Sequence, residues 1–371
     1  MRHLAAILPL LTLLAACSSK PTPPAEAPQE PAPSGGFMLE PAHTGLLLNG
    51  DFANNPATNN FIDKMVREHG FDRQQLHDVL AQTQRLDWVI RLMDKQAPAP
   101  STSRPPSGPN GAWKRYRNQF ITPSNVQNGV VFWNQHQDAL QRAWQQYGVP
   151  PEIIVGIIGV ETRWGRVMGK TRIIDALATL AFAYPRRAEY FSGELETFLL
   201  MARTEGDDPL SLRGSYAGAM GYGQFMPSSF KNYAVDFDGD GHINLWDPVD
   251  AIGSVANYFK AHGWVSGGAV AVPAAGQAPS LTQGFNTRYP LSTLSAAGLT
   301  PEVSLAGYQE ASLLRLDLGS HYQYWYGLPN FYVVTRYNHS THYAMAVWQL
   351  GEAVGRVRQG SYNSTGLLAT K

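Results

Sequence analysis

Between Pro151 and Gly165 the chain reads Pro-Glu-Ile-Ile-Val-Gly-Ile-Ile-Gly-Val-Glu-Thr-Arg-Trp-Gly, and the acid Glu161 stands near its end. A run this apolar belongs in a core, which forces the rest of the chain to be built around it. Pro150 and Pro151 suit the start of a helix, and Gly165 its end. On that helix Ile158, Ile157 and Ile154 lie three, four and seven positions before Glu161 and share its face. The carboxyl therefore points inward. Desolvation penalises its charged form and raises its pKa, and a proton held at neutral pH is what a general acid needs. The other reading of such a residue is a buried glutamate paired with an arginine or capped by backbone amides. Residue types alone leave both open.

With 371 residues the chain can bury a large core and divide into two or three domains. Lys and Arg total 29 and Asp and Glu total 29, so charge favours neither nucleic acid nor an anionic membrane surface. Nine Trp and seventeen Tyr suit carbohydrate stacking, but structural cores use the same residues.

The N-terminus carries an address. Arg2 and His3 precede an apolar run, Leu4 to Leu14, which is too short to span as a mature helix and right for a signal sequence. It ends in Leu14-Ala15-Ala16-Cys17, which resembles the bacterial lipobox. That resemblance implies removal of residues 1–16 and a lipid on the Cys17 sulfur, against the alternative of an ordinary signal peptide with an incidental cysteine. Cys17 is the only cysteine, which excludes an intrachain disulfide. Ser18 and Ser19 in place of Asp imply sorting to the outer membrane, facing the periplasm. Residues 17–40 are rich in Pro and Ala, too poor in apolar side chains to fold, and read as a disordered tether. Ala97 to Gly111 is similar in composition and reads as a long surface loop or internal linker.

The spacing predicts helices through most of the body. From Asn60 to Asp94 the pattern is helical, with Phe61, Ile62, Met65 and Val66 on one stripe, a stop at Gly70 and Asp72 as the next cap. Gly129 to Gln146 reads as one helix stopped by Gly148, and further helices are expected over 172–182, 248–262 and 341–354. After Trp264 the runs 269–272, 312–318, 322–326 and 331–337 are β-type, with Leu314, Leu316 and Leu318 alternating against Arg315 and Asp317. The expected architecture is mainly α with one small β-rich module.

A second motif is Gly214-Ser-Tyr-Ala-Gly-Ala-Met-Gly-Tyr-Gly-Gln-Phe-Met-Pro-Ser-Ser-Phe230. Its glycines let a chain or ligand lie against the backbone, Ser215, Tyr222 and Gln224 offer neutral hydrogen bonds, and Phe225 and Met226 offer apolar walls. Sugars want that mixture. The motif lacks the Lys and Ser/Thr of a phosphate loop, which argues against a nucleotide site. A tight loop between packed helices is the bland alternative.

Val160-Glu-Thr-Arg-Trp-Gly165, Pro185-Arg-Arg187, the Gly214–Phe230 block and the lipobox together resemble the B-type membrane-bound lytic murein transglycosylases. The similarity runs from about Gly50 to the last helix. It implies a goose-lysozyme-like helical core with an added helical domain and a small β domain. The expected division is 41–122 with 338–371 as the helical domain, 123–265 as the core and 266–337 as the β-rich domain. By position the resemblance makes Glu161 the catalytic acid/base and places Tyr116, Arg186, Arg187, Ser215, Gln224, Tyr258, Tyr337, Asn338 and Tyr343 along the glycan groove. The implied substrate is the peptidoglycan strand, with cell-wall synthases as a further class of partner. Arg186 and Arg187 suit a carboxylate or the peptide stem on the muramoyl lactyl group, or equally a solvated pair at a helix end.

Glycosidases usually present two carboxyl groups across the scissile bond. No second Asp or Glu stands beside Glu161 in Val160–Gly165 or in 214–230. A lytic transglycosylase needs only one, because its nucleophile is the muramoyl C6 hydroxyl. A hydrolytic muramidase, or a peptidoglycan-binding lipoprotein without catalysis, are the competing readings.

Asp236-Phe-Asp238-Gly-Asp240-Gly241-His242 fits the first positions of an EF-hand loop, with acids at one, three and five and glycine at six, and points to Ca²⁺. His242 would offer its backbone carbonyl. At position twelve Asp247 replaces the usual Glu and Pro248 follows, which reads as an N-cap and first helical residue. Asp250, one turn on, is the favoured closing ligand of a loop over 236–250, and the ion is expected to be structural. A metal-free turn is the alternative.

Overall fold

The computed structural model describes residues 49–96, 108–278 and 280–360. The signal segment, Cys17, the tether over 17–40 and most of the 97–111 linker lie outside the described residues.

Three helices open the body: α1 (Pro56–His69), α2 (Arg73–Ala81) and α3 (Asp87–Gln96). Gly70 ends α1 in the left-handed region at φ 62, and the Asp72 carboxyl caps α2 by accepting from Gln75 N. After α4 (Ala112–Arg117) the predicted 129–146 helix is divided into α5 (Pro123–Gln135) and α6 (Gln137–Tyr147). The break falls at His136, at φ −118 and ψ 27, where its ring packs 4.7 Å from Phe132. Neither Gly nor Pro marks that kink; the distant Arg358 spans it, donating to Asn134 Oδ1 at 2.9 Å and Gln137 Oε1 at 2.6 Å.

The apolar run forms α7 (Pro151–Thr162), in which every residue but Glu152 is buried. It starts at Pro151 as expected but ends at Thr162, earlier than Gly165. Arg163 and Trp164 adopt left-handed φ of 50 and 57, which turns the chain out of the helix. The indole of Trp164 folds back and donates to the Val155 carbonyl at 3.2 Å. Then follow α8 (Ile173–Ala183), α9 (Ala188–Glu205), α10 (Pro227–Tyr233), α11 (Pro248–Ala261), α12 (Leu291–Ala296), α13 (Pro329–Tyr337) and α14 (Thr341–Arg358). The α9 helix lies in a stretch where the sequence reading placed no element.

Glycine lets α7 and α14 approach backbone to backbone. A Cβ on Gly156 would meet the Val347 carbonyl oxygen at 2.3 Å, and one on Gly351 the Glu152 oxygen at 2.0 Å. This crossing sets the centre of the main core.

Two short strands, β1 (Thr171–Arg172) and β2 (Arg213–Gly214), pair antiparallel and bring the glycine-rich motif beside the end of α7. The strands β3 (Ala271–Gly276), β4 (Tyr289–Pro290), β5 (Leu299–Pro301), β6 (Glu310–Asp317) and β7 (Tyr322–Gly327) form a second sheet in the order β4-β6-β7-β3-β5, antiparallel throughout. Its β6 is buried on both faces. Leu314 and Leu316 join the main core, and Ala311 and Leu313 join a smaller apolar cluster with Val272, Leu299 and Tyr326. The predicted strand over 331–337 is instead the helix α13. Pro329 stands at its first position, and Phe331, Val333 and Val334 enter the main core, so burial overrides the β preference of those residues. No helix among the described residues is long and apolar enough to cross a membrane.

Candidate active site

Glu161 sits in the last turn of α7, buried at 7% exposure. Its carboxyl is pushed up to about 7, first by burial; the hydrogen bond it accepts from the Tyr343 hydroxyl pulls the other way. Among the described residues no Lys or Arg forms an ion pair with it. The buried, arginine-paired alternative is therefore not what the structure shows.

The next residue, Thr162, fixes the end of the helix. Its Oγ1 lies 3.0 Å from the Tyr222 carbonyl, to which it can donate, and accepts from Gly165 N at 3.1 Å. One hydroxyl thus ties α7 to the glycine-rich motif. The sequence reading passed over Thr162, although its place beside the acid was a signal.

Tyrosines from three helices surround the acid. Tyr343 starts α14, Tyr337 ends α13 and Tyr116 lies on α4. Burial raises the pKa of all three phenols, and the Glu161 charge adds to it, so they stay protonated as donors. Tyr337 donates to the Gly223 carbonyl at 2.6 Å, and Tyr258 to the Arg336 carbonyl at 2.7 Å. Those two rings meet edge to face at 4.9 Å, with Phe225 5.9 Å from Tyr337. Tyr337 therefore stands near the acid, and Tyr258 packs against Tyr337. Asn338, half buried, follows α13 directly, and its carbonyl accepts from Ser340 N at 2.7 Å. His342, also unremarked in the sequence, packs 5.7 Å from Tyr116 and 5.5 Å from Trp113.

In the glycine-rich motif, Ser215 is 9% exposed, and its Oγ accepts from Ala219 N at 2.9 Å and Ala217 N at 3.3 Å. Gln224, at a left-handed φ of 54, donates from Nε2 to the carbonyls of Gly221 at 2.9 Å and Met168 at 3.2 Å. Both side chains brace the loop. Gly169 and Gly221 also need their positive φ, and a Cβ on them would strike the Gly214 and Leu245 carbonyl oxygens at 1.9 and 2.1 Å. Arg186 and Arg187 lie in a single 3₁₀ turn, Pro185–Arg187, between α8 and α9. Arg187 stacks over Tyr190 at 4.4 Å, and Arg186 faces Asp94 at 3.8 Å.

Away from the acid, Asp236, Asp238 and Asp250 each bring a carboxylate oxygen to within 4.8 Å of the others. Asp247 caps α11, accepting from Val249 N at 2.6 Å. Asp250, 1% exposed, turns back into the loop and accepts from Phe237 N at 2.7 Å and Asn244 N at 2.8 Å. Burial and the nearby Asp238 charge raise its carboxyl above the ordinary range, a cost that a divalent cation would relieve. Asp240 accepts from His242 N at 2.8 Å and is not one of the three converging acids.

A lone acid, held protonated at the end of a buried helix and flanked by tyrosines and a glycine-rich loop, defines a lysozyme-like class of glycan-cleaving enzyme. Residues 53–352 match the model of the family described as Transglycosylase SLT domain, and the chain belongs to that family, the lytic transglycosylases. It is 74% identical over 357 residues to the membrane-bound lytic murein transglycosylase B of Escherichia coli strain K12, covering 96% of this chain and 99% of that one. A solved structure of the Escherichia coli lytic transglycosylase Slt35 in complex with calcium is also 74% identical, with a TM-score of 0.81 over 87% of this chain and 100% of that one. SltB3 of Pseudomonas aeruginosa, in complex with NAG-anhNAM-pentapeptide, is 31% identical with a TM-score of 0.70, over 80% and 78% of the two chains.

Proposed function

We propose that this enzyme cleaves the β-1,4 bond between N-acetylmuramic acid and N-acetylglucosamine in peptidoglycan and leaves a 1,6-anhydro-N-acetylmuramoyl end. The observation that carries this reading is Glu161, whose titration is set by burial and Tyr343 alone. Among the described residues no second carboxyl acts on that titration. In the first step Glu161 gives its proton to the glycosidic oxygen, and the N-acetylglucosamine side departs as an alcohol while positive charge gathers on C1. The carboxylate left behind is stabilised by the Tyr343 hydroxyl. It then takes the proton of the muramoyl C6 hydroxyl as that oxygen closes on C1. The acid is restored and no water is consumed.

In this reading Ser215 and Gln224 keep the loop in shape, and Tyr116, Tyr258, Tyr337 and Asn338 shape the groove. Arg186 and Arg187 meet carboxylates of the muramoyl stem. Asp236, Asp238 and Asp250, with Asp240 and the His242 carbonyl, hold a structural Ca²⁺; the convergence of three carboxyls in the loop, one of them buried, supports this, as does the calcium complex of Slt35. The lipid on Cys17 anchors the body to the outer membrane on its periplasmic side, in keeping with the membrane-bound name of the Escherichia coli relative. Cys17→Ser should move the protein from the membrane to the soluble fraction.

Mass spectrometry of released muropeptides tests the reaction. The expected products are one water lighter than hydrolytic ones, and Glu161→Gln should abolish their release from purified sacculi. Products carrying the extra water would return the assignment to a muramidase.

A further inference from the structure

The acidic loop over 236–250 is braced by its own side chains, and one carboxylate from outside it takes part. Three consecutive backbone N–H groups of the loop each meet an acid. His242 N donates to Asp240 Oδ1 at 2.8 Å and Asn244 N to Asp250 Oδ2 at 2.8 Å, both within the loop. Between them, Ile243 N donates to Glu205 Oε2 at 2.9 Å. Glu205 is the last residue of α9, 38 positions earlier in the chain. It belongs neither to the loop motif nor to the three converging acids.

The N–H of Ile243 and the C=O of His242 are two ends of the same amide, which is planar and trans, so they point in opposite directions. In a loop of this kind the carbonyl at the seventh position, here that of His242, is the backbone ligand to the ion. Holding the N–H on one side therefore fixes the direction of the oxygen on the other. A carboxylate on the N–H also draws electron density toward that oxygen, because hydrogen bonds joined through one amide polarise each other. A fixed and more negative oxygen is the better ligand for a hard cation.

The helix that carries Glu205 is itself pinned. Glu194, about three turns earlier on α9 and 3% exposed, accepts from Ser228 N at 2.8 Å and Ser228 Oγ at 2.7 Å. Ser228 lies in the first turn of α10, which leads into the loop. One helix thus grips both the approach to the loop and its seventh peptide unit.

Resting on the reading of the loop as a calcium site, we propose that Glu205 is a positioning residue for the ion. Without touching it, the Glu205 carboxylate orients and polarises the His242 carbonyl. The affinity of the loop is then set in part on α9, outside the segment that supplies the ligands.

The test is calorimetric titration of calcium into the whole protein, stripped of divalent ions, as parent and as three variants. Glu205→Ala removes the acceptor and should weaken binding about tenfold or more. Glu205→Gln keeps an oxygen for the Ile243 N–H but loses the charge, and its affinity should fall between the two. Asp207→Asn controls for charge alone, since Asp207 feels both Glu205 and His242 but does not hold the Ile243 N–H. That variant should bind as the parent does. Melting curves without calcium separate affinity from folding, and there Glu205→Gln should melt with the parent. Parent-like affinity in either Glu205 variant, or an equal loss in Asp207→Asn, would overturn the proposal while the calcium site stands. A parent that takes up no calcium would sink the site and the proposal together.

Discussion

At the scale of single residues the decisive quantity is the proton on Glu161. The carboxyl is raised from an ordinary 4.5 to about 7, so the acid form needed first is lost as pH rises through neutrality, and cleavage should fall with it. Tyr343→Phe removes the bond that favours the ionised form. The alkaline limb of the pH profile should then move upward and the rate at its maximum should drop, whereas a merely structural tyrosine would change the rate and leave the limb in place. The same shift has a stability signature. Below 4.5 the folded and unfolded chains both hold this proton; between 4.5 and about 7 only the folded chain keeps it. Stability contributed by this group therefore declines across that window, and above it the penalty is complete at about 3 kcal/mol. Glu161→Gln should melt higher than the parent at pH 8 and gain nothing at pH 4. Equal gains at both values would show that the acid is not held protonated by the fold. This much was legible in the sequence, since Ile154, Ile157 and Ile158 are local neighbours of Glu161 on a helix. Tyr116, Tyr337 and Tyr343 were placed by family resemblance alone, because no spacing in the chain announces a meeting of three distant helices.

Elements were legible where their signals are local. Gly70 with Asp72, and Asp247 with Pro248, stop and start helices through their own backbone and side chains, and the structure places the caps on those residues. The break at His136 and the helix over Pro329–Tyr337 depend on packing with distant residues, so the pattern along the chain misread both. The close crossing of α7 and α14 is a sharper case, since helix preference and packing disagree about its glycines. In an isolated helix Gly156→Ala would gain about 1 kcal/mol. Against α14 the new methyl would sit 2.3 Å from the Val347 carbonyl oxygen, a backbone atom that cannot rotate away. Net destabilisation of about 2 kcal/mol or more is expected, read as a lower denaturation midpoint with unchanged slope. Gly193→Ala, on α9 with nothing within 4 Å of the new Cβ, is the control and should stabilise. If both substitutions stabilise alike, the two helices do not touch through their backbones.

For the whole molecule, the acidic loop stands where α10 hands the chain to α11, and α11 packs on both α6 and α7. An ion there would hold the frame that carries Glu161 without touching the sugar. Asp250 links the two roles: it is buried at 1% exposure on α11, yet it accepts backbone N–H groups from the start and the middle of the loop, at Phe237 and Asn244. A ligand that binds only the folded chain stabilises it by mass action, by about 2.7 kcal/mol at a hundredfold excess over its dissociation constant. In a body of this size that should lift the melting temperature by roughly 5 °C. Chelation should remove the increment while cleavage measured well below the melting range stays near its original rate, because the ion takes no part in the proton transfers. Asp250→Asn should lose the calcium increment, whereas Asp207→Asn, an acid outside the three that converge, should keep it. A calcium increment that survives Asp250→Asn would place the ion elsewhere, and cleavage that vanishes with the ion at low temperature would give it a part in the chemistry.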